Sequence, residues 1–152
     1  MSGKNLQQNS SNFKHKPLRN KMRGLVFGTY DKLHKGHLFF LSEARNLCDE
    51  LYLVLALDKT VENLKGKAPS IDVNTRKQNI ELQNIVDKVV LGLDGSDHLK
   101  IVEQINPDII ILGYDQRSFT SELDNLSSRG LNPKIVRIEK SFFPEKYKSS
   151  KL

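Results

Sequence analysis

Residues 25–37 read Leu-Val-Phe-Gly-Thr-Tyr-Asp-Lys-Leu-His-Lys-Gly-His, an apolar run that opens into a loop carrying two histidines. The first three residues form a short apolar run of the kind found in strands that are covered on both faces. After the loop, side chains suited to a buried face recur at spacings of three and four, which predicts an amphipathic helix over residues 37–48. These side chains are His37, Phe40, Leu41, Ala44 and Cys48. The stretch therefore predicts a strand, a loop and a helix in succession.

The same alternation continues along the chain. Four further apolar segments are predicted as strands, at residues 51–57, 88–91, 108–112 and 134–138. Capping residues predict three more helices, near residues 73–84, 97–105 and 121–129. The candidate N-caps are Asp72, then Asp94 or Ser96, then Ser118 or Thr120, and Gly130 fits the end of the last helix. This rhythm predicts an α/β fold: a single domain with a doubly wound, parallel, five-stranded sheet and helices on both faces.

The basic charge of the chain is concentrated at its start. The formal net charge is +6, and residues 1–23 contain six basic residues and no acidic one. The other 129 residues carry 18 basic and 18 acidic side chains, so the rest of the chain is formally neutral. Because residues 1–22 also contain few apolar groups, we expect a disordered basic tail there and one domain over residues 23–152. Any weak affinity for nucleic acid would come from this tail.

The composition also indicates in which cellular compartment we expect the protein. No run approaches the roughly 18 apolar residues that a membrane span needs. No pattern of a charged segment followed by an apolar one marks a signal peptide at the start. The single cysteine, Cys48, excludes an intrachain disulfide and a cysteine-built metal site. These features predict a cytoplasmic protein that does not enter a membrane.

The loop after the first strand has the chemistry of a polyphosphate site. In parallel α/β sheets, ligands bind beyond the carboxyl ends of the strands. Gly28 leaves room for a phosphate near the backbone. His34 and His37 stand where a helix begins, beside amide N–H groups and the positive end of the helix dipole. The histidines could instead bind a metal ion, but no cysteine or carboxylate cluster accompanies them in sequence. The Gly-x-Gly-x-x-Gly fingerprint and the Walker A loop are both absent from the sequence.

Residues 28–37 closely resemble the Gly-Thr-Phe-Asp-x-x-His-x-Gly-His signature of the cytidylyltransferase-like nucleotidyltransferases, with Tyr30 in place of Phe. The resemblance covers about residues 23–152 and implies a Rossmann-like sheet of the HxGH type, with strand order 3-2-1-4-5. It implies that Thr29 and Tyr30 lie beside the nucleotide. It also implies that His34 and His37 are catalytic, binding the phosphates and stabilising the transition state. The other signature residues assigned to the nucleotide, the phosphates or the acceptor are Gly28, Asp31, Lys35 and Gly36.

Two further segments resemble archaeal-type FAD synthases. Residues 112–116 resemble their Leu-Gly-x-Asp-Gln stretch, which implies that Gly113 and Asp115 contact the nucleotide. On chemistry alone, Asp115 could equally be a turn aspartate. Residues 147–151 resemble their Tyr-x-Ser-Ser-Lys stretch, although a solvated polar tail is the alternative interpretation. The residues assigned there are Tyr147, Ser149 and Ser150 for the nucleotide and Lys148 for phosphate.

Three basic residues complete the predicted site. Lys65 and Lys67 flank Gly66 in a predicted loop after the second strand. Glycerol-3-phosphate cytidylyltransferases place phosphate-binding basic residues in this region. Arg76 lies near the start of the next predicted helix, where the family has an arginine, and it is assigned to the nucleotide. Each of the three could instead be a solvated charge.

The resemblance implies transfer of AMP from ATP to FMN, giving FAD and pyrophosphate. Residues 57–62, Leu-Asp-Lys-Thr-Val-Glu, are a third segment that resembles the FAD synthases. No covalent nucleophile is evident at the loop, so catalysis would depend on positioning and electrostatics with a divalent cation such as Mg²⁺. No protein residue is assigned as a metal ligand. The family also makes a homodimer possible.

Two alternative functions stay open. The first is a glycerol-3-phosphate cytidylyltransferase that uses CTP, although the sequence lacks the Arg-Thr-x-Gly element of those enzymes. The second is a nucleotide-binding regulator without turnover, and the retention of both histidines counts against it.

Overall fold

The computed structural model describes residues 21–93, 97, 99–114, 116 and 120–139, and within them the fold is a five-stranded sheet. The strands are β1 (Arg23–Gly28), β2 (Glu50–Leu55), β3 (Lys88–Leu91), β4 (Ile109–Leu112) and β5 (Lys134–Arg137). Every neighbouring pair is parallel, and the order across the sheet is β3-β2-β1-β4-β5. The predicted fold class and strand order are confirmed.

In the described part of the chain, four α-helices and two 3₁₀ turns connect the strands. They are α1 (Lys35–Arg45), α2 (Asp58–Lys65), α3 (Val73–Glu81) and α4 (Lys100–Ile105), followed by the turns Thr120–Asn125 and Ser127–Arg129. Asp72 caps α3 as predicted, because its side chain accepts hydrogen bonds from the backbone N–H groups of Asn74 and Thr75. Gly130 ends the last 3₁₀ turn in the left-handed region, with φ of +81°, also as predicted.

Successive strand residues point to opposite faces of the sheet and build one core on each side. On the first face, α1 and α3 pack against the side chains of Val26, Leu53, Leu55, Val89 and Ile111. On the second face, α4 and the 3₁₀ turns pack against those of Leu25, Phe27, Val54, Ile110 and Leu112. Cys48 packs against the first core from a half-buried position, but it lies beyond the end of α1 and not within the helix predicted over residues 37–48. Both faces of the sheet are covered, as the continuous apolar strand sequences predict.

Several predicted elements differ from the structure. α1 ends at Arg45 and not at residue 48, and α4 begins at Lys100 and not near residue 97. Residues 58–65 form α2 and not a loop, so Lys65 ends a helix. The strand predicted over residues 51–57 ends at Leu55, because Ala56 and Leu57 leave the sheet and line a cavity beyond its edge. The helix predicted near 121–129 is two 3₁₀ turns. Its buried residues Leu123 and Leu126 are three apart, a spacing that matches the three residues per turn of this geometry.

Several sequence-based assignments fall outside the described residues. They are most of the basic tail, the caps Asp94, Ser96 and Ser118, and the site residues Asp115, Tyr147, Lys148, Ser149 and Ser150. In the described part of the chain, no helix is both long enough and apolar enough to cross a membrane.

Candidate active site

The two signature histidines lie at the carboxyl end of β1, the central strand of the sheet. The chain order on the two sides of β1 runs in opposite directions, with β2 and β3 on one side and β4 and β5 on the other. Such a switch point opens a crevice beyond the strand ends, where α/β proteins bind ligands. The segment from Gly28 to His37 fills this position and leads directly into α1.

The imidazoles of His34 and His37 together cap the first turn of α1. The Nδ1 atom of His34 accepts a hydrogen bond from the backbone N–H of Gly36 at 3.0 Å. The Nδ1 atom of His37 accepts one from the backbone N–H of His34 at 3.3 Å. Because both Nδ1 atoms are acceptors, each neutral ring carries its proton on Nε2. The two rings stack with centroids 3.8 Å apart and planes inclined by 21°.

The glycines of the signature make room for its own rings. A side chain at Gly36 would put its Cβ 2.9 Å from Cε1 of His34, so only glycine lets that ring lie across the first turn of α1. A Cβ at Gly28 would overlap the ring of Tyr30. We expected a phosphate to approach the backbone at Gly28. The ring of Tyr30, from the same loop, occupies that space instead.

Tyr30 supports His37 from within the core. Its backbone is left-handed, with φ of +49°, a conformation that bulky residues rarely adopt. This turn sends the ring inward, where only 7% of the residue is exposed and burial raises the pKa of the hydroxyl above its ordinary value. The ring meets His37 edge to face at a centroid distance of 5.1 Å. Tyr30 thus contacts one of the two signature imidazoles with a buried ring.

Asp31 fastens the signature loop to the segment between α2 and α3. Its two carboxylate oxygens accept hydrogen bonds from the backbone N–H groups of Ser70 and Ile71, each at 2.8 Å. These bonds, the one from Ser70 above all, hold the pKa of the Asp31 carboxyl below its ordinary value. The carboxylate assigned to phosphate or acceptor therefore has a structural task in this geometry.

Arg76 is wholly buried, with 0% of the residue exposed. Its Nη1 donates to the carbonyl of Thr29 at 2.8 Å, and its Nε donates to the carbonyl of Ile71 at 2.8 Å. Its Nη2 pairs with Oδ1 of Asp58 at 2.6 Å. The guanidinium assigned to the nucleotide thus points into the protein and joins the signature loop to the beginnings of α2 and α3.

An open cavity of about 300 Å³ lies beside the signature loop, on the second face of the sheet. Its lining comes from the ends of β1, β2 and β3, from α2 and from α4, and consists mainly of apolar side chains. The lining residues are Phe27, Gly28, Thr29, Val54, Ala56, Leu57, Thr60, Leu64, Lys65, Gly92, Leu93, Ile101 and Gln116. Lys65 brings a positive charge to it, whereas Lys67 is exposed and is not among the described lining residues. Leu64, 60% exposed, adds an apolar side chain at its rim.

Gln116 and Arg137 hold the end of β4 against the end of β1. The side-chain amide of Gln116 accepts from the backbone N–H of Gly113 at 3.2 Å and donates to the carbonyl of Phe27 at 3.4 Å. Arg137 donates to the carbonyls of Gly113 and Gln116 at 2.6 and 2.8 Å. The backbone of Gly113 is thus bonded within the protein. These two polar side chains and Asp58 were missed as site residues, although Gln116 and Asp58 both lie in segments that resemble the FAD synthases.

The structure brings most of the signature residues together. Some of them form the start of α1 or border the cavity, and the others support these from behind or from the side. His34, Lys35, Gly36 and His37 form the first turn of α1, and Gly28 and Thr29 border the cavity. Tyr30 and Arg76 lie buried behind this surface, and the partly exposed Asp31 bonds the loop to the segment before α3. Among the described residues, no cluster of three or more His, Cys, Asp or Glu side chains could hold a metal ion.

The chain belongs to the cytidylyltransferase-like family, whose model matches residues 25–152. It is similar to the FAD synthase of Thermococcus sibiricus, at 38% identity over 88% of this chain and 91% of the relative. It is also similar to the FAD synthase of Aciduliprofundum boonei, at 44% identity over 78% of this chain and 79% of the relative. The predicted resemblance to FAD synthases is confirmed.

A solved structure shares the fold along nearly its whole length. It is described as a lipopolysaccharide core biosynthesis protein from Thermoplasma volcanium GSS1, and it is 40% identical to this chain. The superposition has a TM-score of 0.74 and covers 81% of this chain and 99% of that one.

Proposed function

We propose that this chain is an FMN adenylyltransferase, which transfers AMP from ATP to FMN and releases FAD and pyrophosphate. The observation that carries the proposal is that one loop, residues 28–37, borders the cavity at Gly28 and Thr29 and leads into the start of α1. The imidazole-capped start of α1 is suited to a triphosphate. The apolar cavity is suited to an aromatic acceptor. The named relatives are FAD synthases, so the glycerol-3-phosphate cytidylyltransferase alternative is not favoured.

The reaction is an in-line displacement at the α-phosphorus of ATP. A phosphate oxygen of FMN attacks that phosphorus and forms the new P–O–P bond, while the bond to the β-phosphate oxygen breaks and pyrophosphate leaves. Negative charge grows on the oxygens around the α-phosphorus and on the leaving pyrophosphate. The Nε2–H groups of His34 and His37 stabilise it, because backbone hydrogen bonds at Nδ1 fix both the orientation and the tautomer of each ring.

The main chain and one lysine supply the remaining phosphate contacts. The positive dipole end of α1, with Lys35 and Gly36 in its first turn, attracts the triphosphate. Lys65 at the cavity attracts the acceptor phosphate. A divalent cation enters as part of the metal–triphosphate substrate, because Mg²⁺ is commonly held by substrate phosphates and one or two carboxylates. When bound, it neutralises phosphate charge.

The isoalloxazine ring of FMN occupies the apolar cavity. The side chains of Phe27, Val54 and Ile101 are buried and form its floor. Leu64 and Lys65 lie at the exposed rim. A planar tricyclic ring matches an apolar site of about 300 Å³, which is at the small end of ligand pockets. Glycerol 3-phosphate has no apolar group to bury there.

The test is a matrix of ATP and CTP against FMN, glycerol 3-phosphate and phosphopantetheine, with pyrophosphate release measured and products resolved by mass. We expect FAD from ATP with FMN, and at most poor conversion of CTP with glycerol 3-phosphate. A site that hydrogen-bonds one substrate pattern leaves buried groups unpaired with another, which is why the preference should be strong. CDP-glycerol without FAD would overturn the substrate assignment, and no pyrophosphate from any pair would favour a regulator.

The cavity has its own test in two exposed leucines. Leu64 lines the cavity, whereas Leu82 follows α3 and is 75% exposed outside it. Leu64→Gln should raise KM for FMN about fivefold, equivalent to roughly 1 kcal/mol of lost apolar contact, with KM for ATP unchanged. Leu82→Gln is the matched control and should change neither constant. Equal KM values for FMN in wild type and Leu64→Gln would place the flavin elsewhere.

Contacts of Gly113, Asp115, Tyr147, Lys148, Ser149 and Ser150 with the nucleotide stay predictions. So do the disordered tail, the homodimer and the cytoplasmic location.

A further inference from the structure

We infer that Arg76 is a positioning residue that fixes the nucleotide loop relative to the acceptor helix, and is not a ligand of the nucleotide. The inference rests on the proposed function for the identity of the two substrates. It departs from the family-based expectation that this arginine binds the nucleotide directly.

The guanidinium of Arg76 has no surface to offer a ligand. The residue is 0% exposed, and its Nε, Nη1 and Nη2 atoms each donate to a different segment of the protein at 2.6 to 2.8 Å. It is the one charged residue among the described residues that is buried. Direct contact with ATP would require breaking these bonds and opening the protein around them.

Two of the three segments that Arg76 joins, the signature loop and α2, line the cavity proposed for the acceptor. Thr29 belongs to the signature loop and lies at the cavity edge. Asp58 is the first residue of α2, and the later residues Thr60, Leu64 and Lys65 of this helix line the cavity. The other oxygen of Asp58 accepts from the backbone N–H of Val73 at 3.4 Å, which adds the start of α3 to the same cluster.

The planar fork of arginine suits this task better than any other cation. It presents donors in several fixed directions, whereas lysine supplies a compact charge on a flexible stem. Lysine at this position would keep the charge next to Asp58 but could not hold all three acceptors in the same directions. In-line transfer is sensitive to such loss, because a misplacement of about 1 Å can cost on the order of 10²-fold in rate.

The chain offers a matched control at the opposite end of the sheet. Arg23 also joins a carboxylate and a main-chain carbonyl, since its Nε pairs with Glu50 at 2.9 Å and its Nη1 donates to Ile105 at 2.6 Å. Its side chain is 20% exposed and lies at the amino ends of the strands, away from the cavity. Arg76→Lys and Arg23→Lys therefore make the same chemical change in two comparable networks.

The experiment measures Tm, kcat and both KM values for FAD formation in the full chain, together with the Kd for ATP by calorimetry. Arg76→Lys should lower kcat on the order of 10²-fold. Its KM values and its Kd for ATP should stay within about threefold of wild type, because that loss is expected in the transition state and not in ground-state binding. Arg23→Lys should lower Tm but leave kcat unchanged. If Arg76→Lys does not fold, Asp58→Asn, which keeps the shape of the partner and removes its charge, should give the same split.

Two results would overturn the inference. A rise of tenfold or more in the Kd for ATP with kcat unchanged would make Arg76 a nucleotide ligand. Parallel loss of activity and folded protein in both lysine variants would make its role purely structural. The Kd does not depend on turnover, so it still decides between ligand and positioning residue if wild type forms no FAD, a result that would instead overturn the proposed function.

Discussion

The amino and carboxyl ends of the five strands use similar polar groups in different ways. At the amino ends, Asp108 accepts from the backbone N–H of Arg23 at 2.8 Å, and Asp87 accepts from that of Leu51 at 2.8 Å. These carboxylates fasten the strand ends themselves. At the carboxyl ends, the fastening groups Arg76 and Asp31 bind loop backbone, Arg76 from a buried position and Asp31 from a partly exposed one. The surface itself is left to imidazoles, a helix start and an apolar cavity.

This difference implies that the two ends separate stability from rate. A substitution at the amino ends removes a bond between strands and should lower the free energy of unfolding alone. A substitution in the surface layer of the carboxyl ends should lower turnover with little effect on folding. Substitutions at the two ends of the sheet therefore test this separation.

The largest effect is expected at the histidines. His34→Ala or His37→Ala should lower kcat by roughly two to three orders of magnitude, the usual cost of removing one transition-state stabiliser. Each variant also loses one cap of α1, so a stability loss of about 1 kcal/mol should accompany it. Pyrophosphate release and urea unfolding measure the two quantities. Near-normal kcat in a variant that still binds ATP would refute the catalytic assignment.

An intermediate effect is expected at the amino ends. Asp108→Ala leaves the half-buried backbone N–H of Arg23 without its carboxylate partner, which should cost about 1–3 kcal/mol. Urea unfolding should detect this loss, and kcat per folded molecule should equal that of wild type. A fall in kcat would show that the two ends of the sheet are coupled and do not separate stability from rate.

The smallest effect is expected at Asp31, and it depends on pH. Hydrogen bonds lower the pKa of this carboxyl in the folded state, so its stabilising contribution is present above its unfolded pKa of about 3.9. The contribution is lost as pH falls through the lower folded value. The stability difference between wild type and Asp31→Asn should therefore shrink as pH falls below about 4. A difference that is the same at pH 7 and pH 3 would show that protonation of Asp31 does not contribute.

The sequence predicts the elements whose patterns are local. α1 follows from apolar spacing, the strands follow from continuous apolar runs, and Asp72 follows from capping chemistry. The sequence did not predict α2, because Val61 is its one buried residue and Leu57 provides no side-chain cap. Gly66, which ends α2 with φ of +85°, was the available signal for a helix end.

The site is less predictable because burial decides each role. Arginine, aspartate and tyrosine in a family signature suggest ligand contacts, but Arg76 and Tyr30 are buried and Asp31 is bonded to backbone. A sequence does not state which polar side chain faces a ligand and which faces the protein. The cavity draws its walls from β1, β2, β3, α2 and α4, so it exists only once those elements are assembled.

The family signature is one continuous set of contacts. The ring of Tyr30 covers Gly28 and meets His37, the ring of His37 stacks on His34, and the ring of His34 covers Gly36. Energies of residues in contact do not add, so single substitutions along this series will misstate what each position contributes. For protein engineering, residues 28–37 therefore have to be transferred together. A graft of the two histidines without Gly28, Gly36 and Tyr30 would reproduce part of the motif sequence but not its geometry.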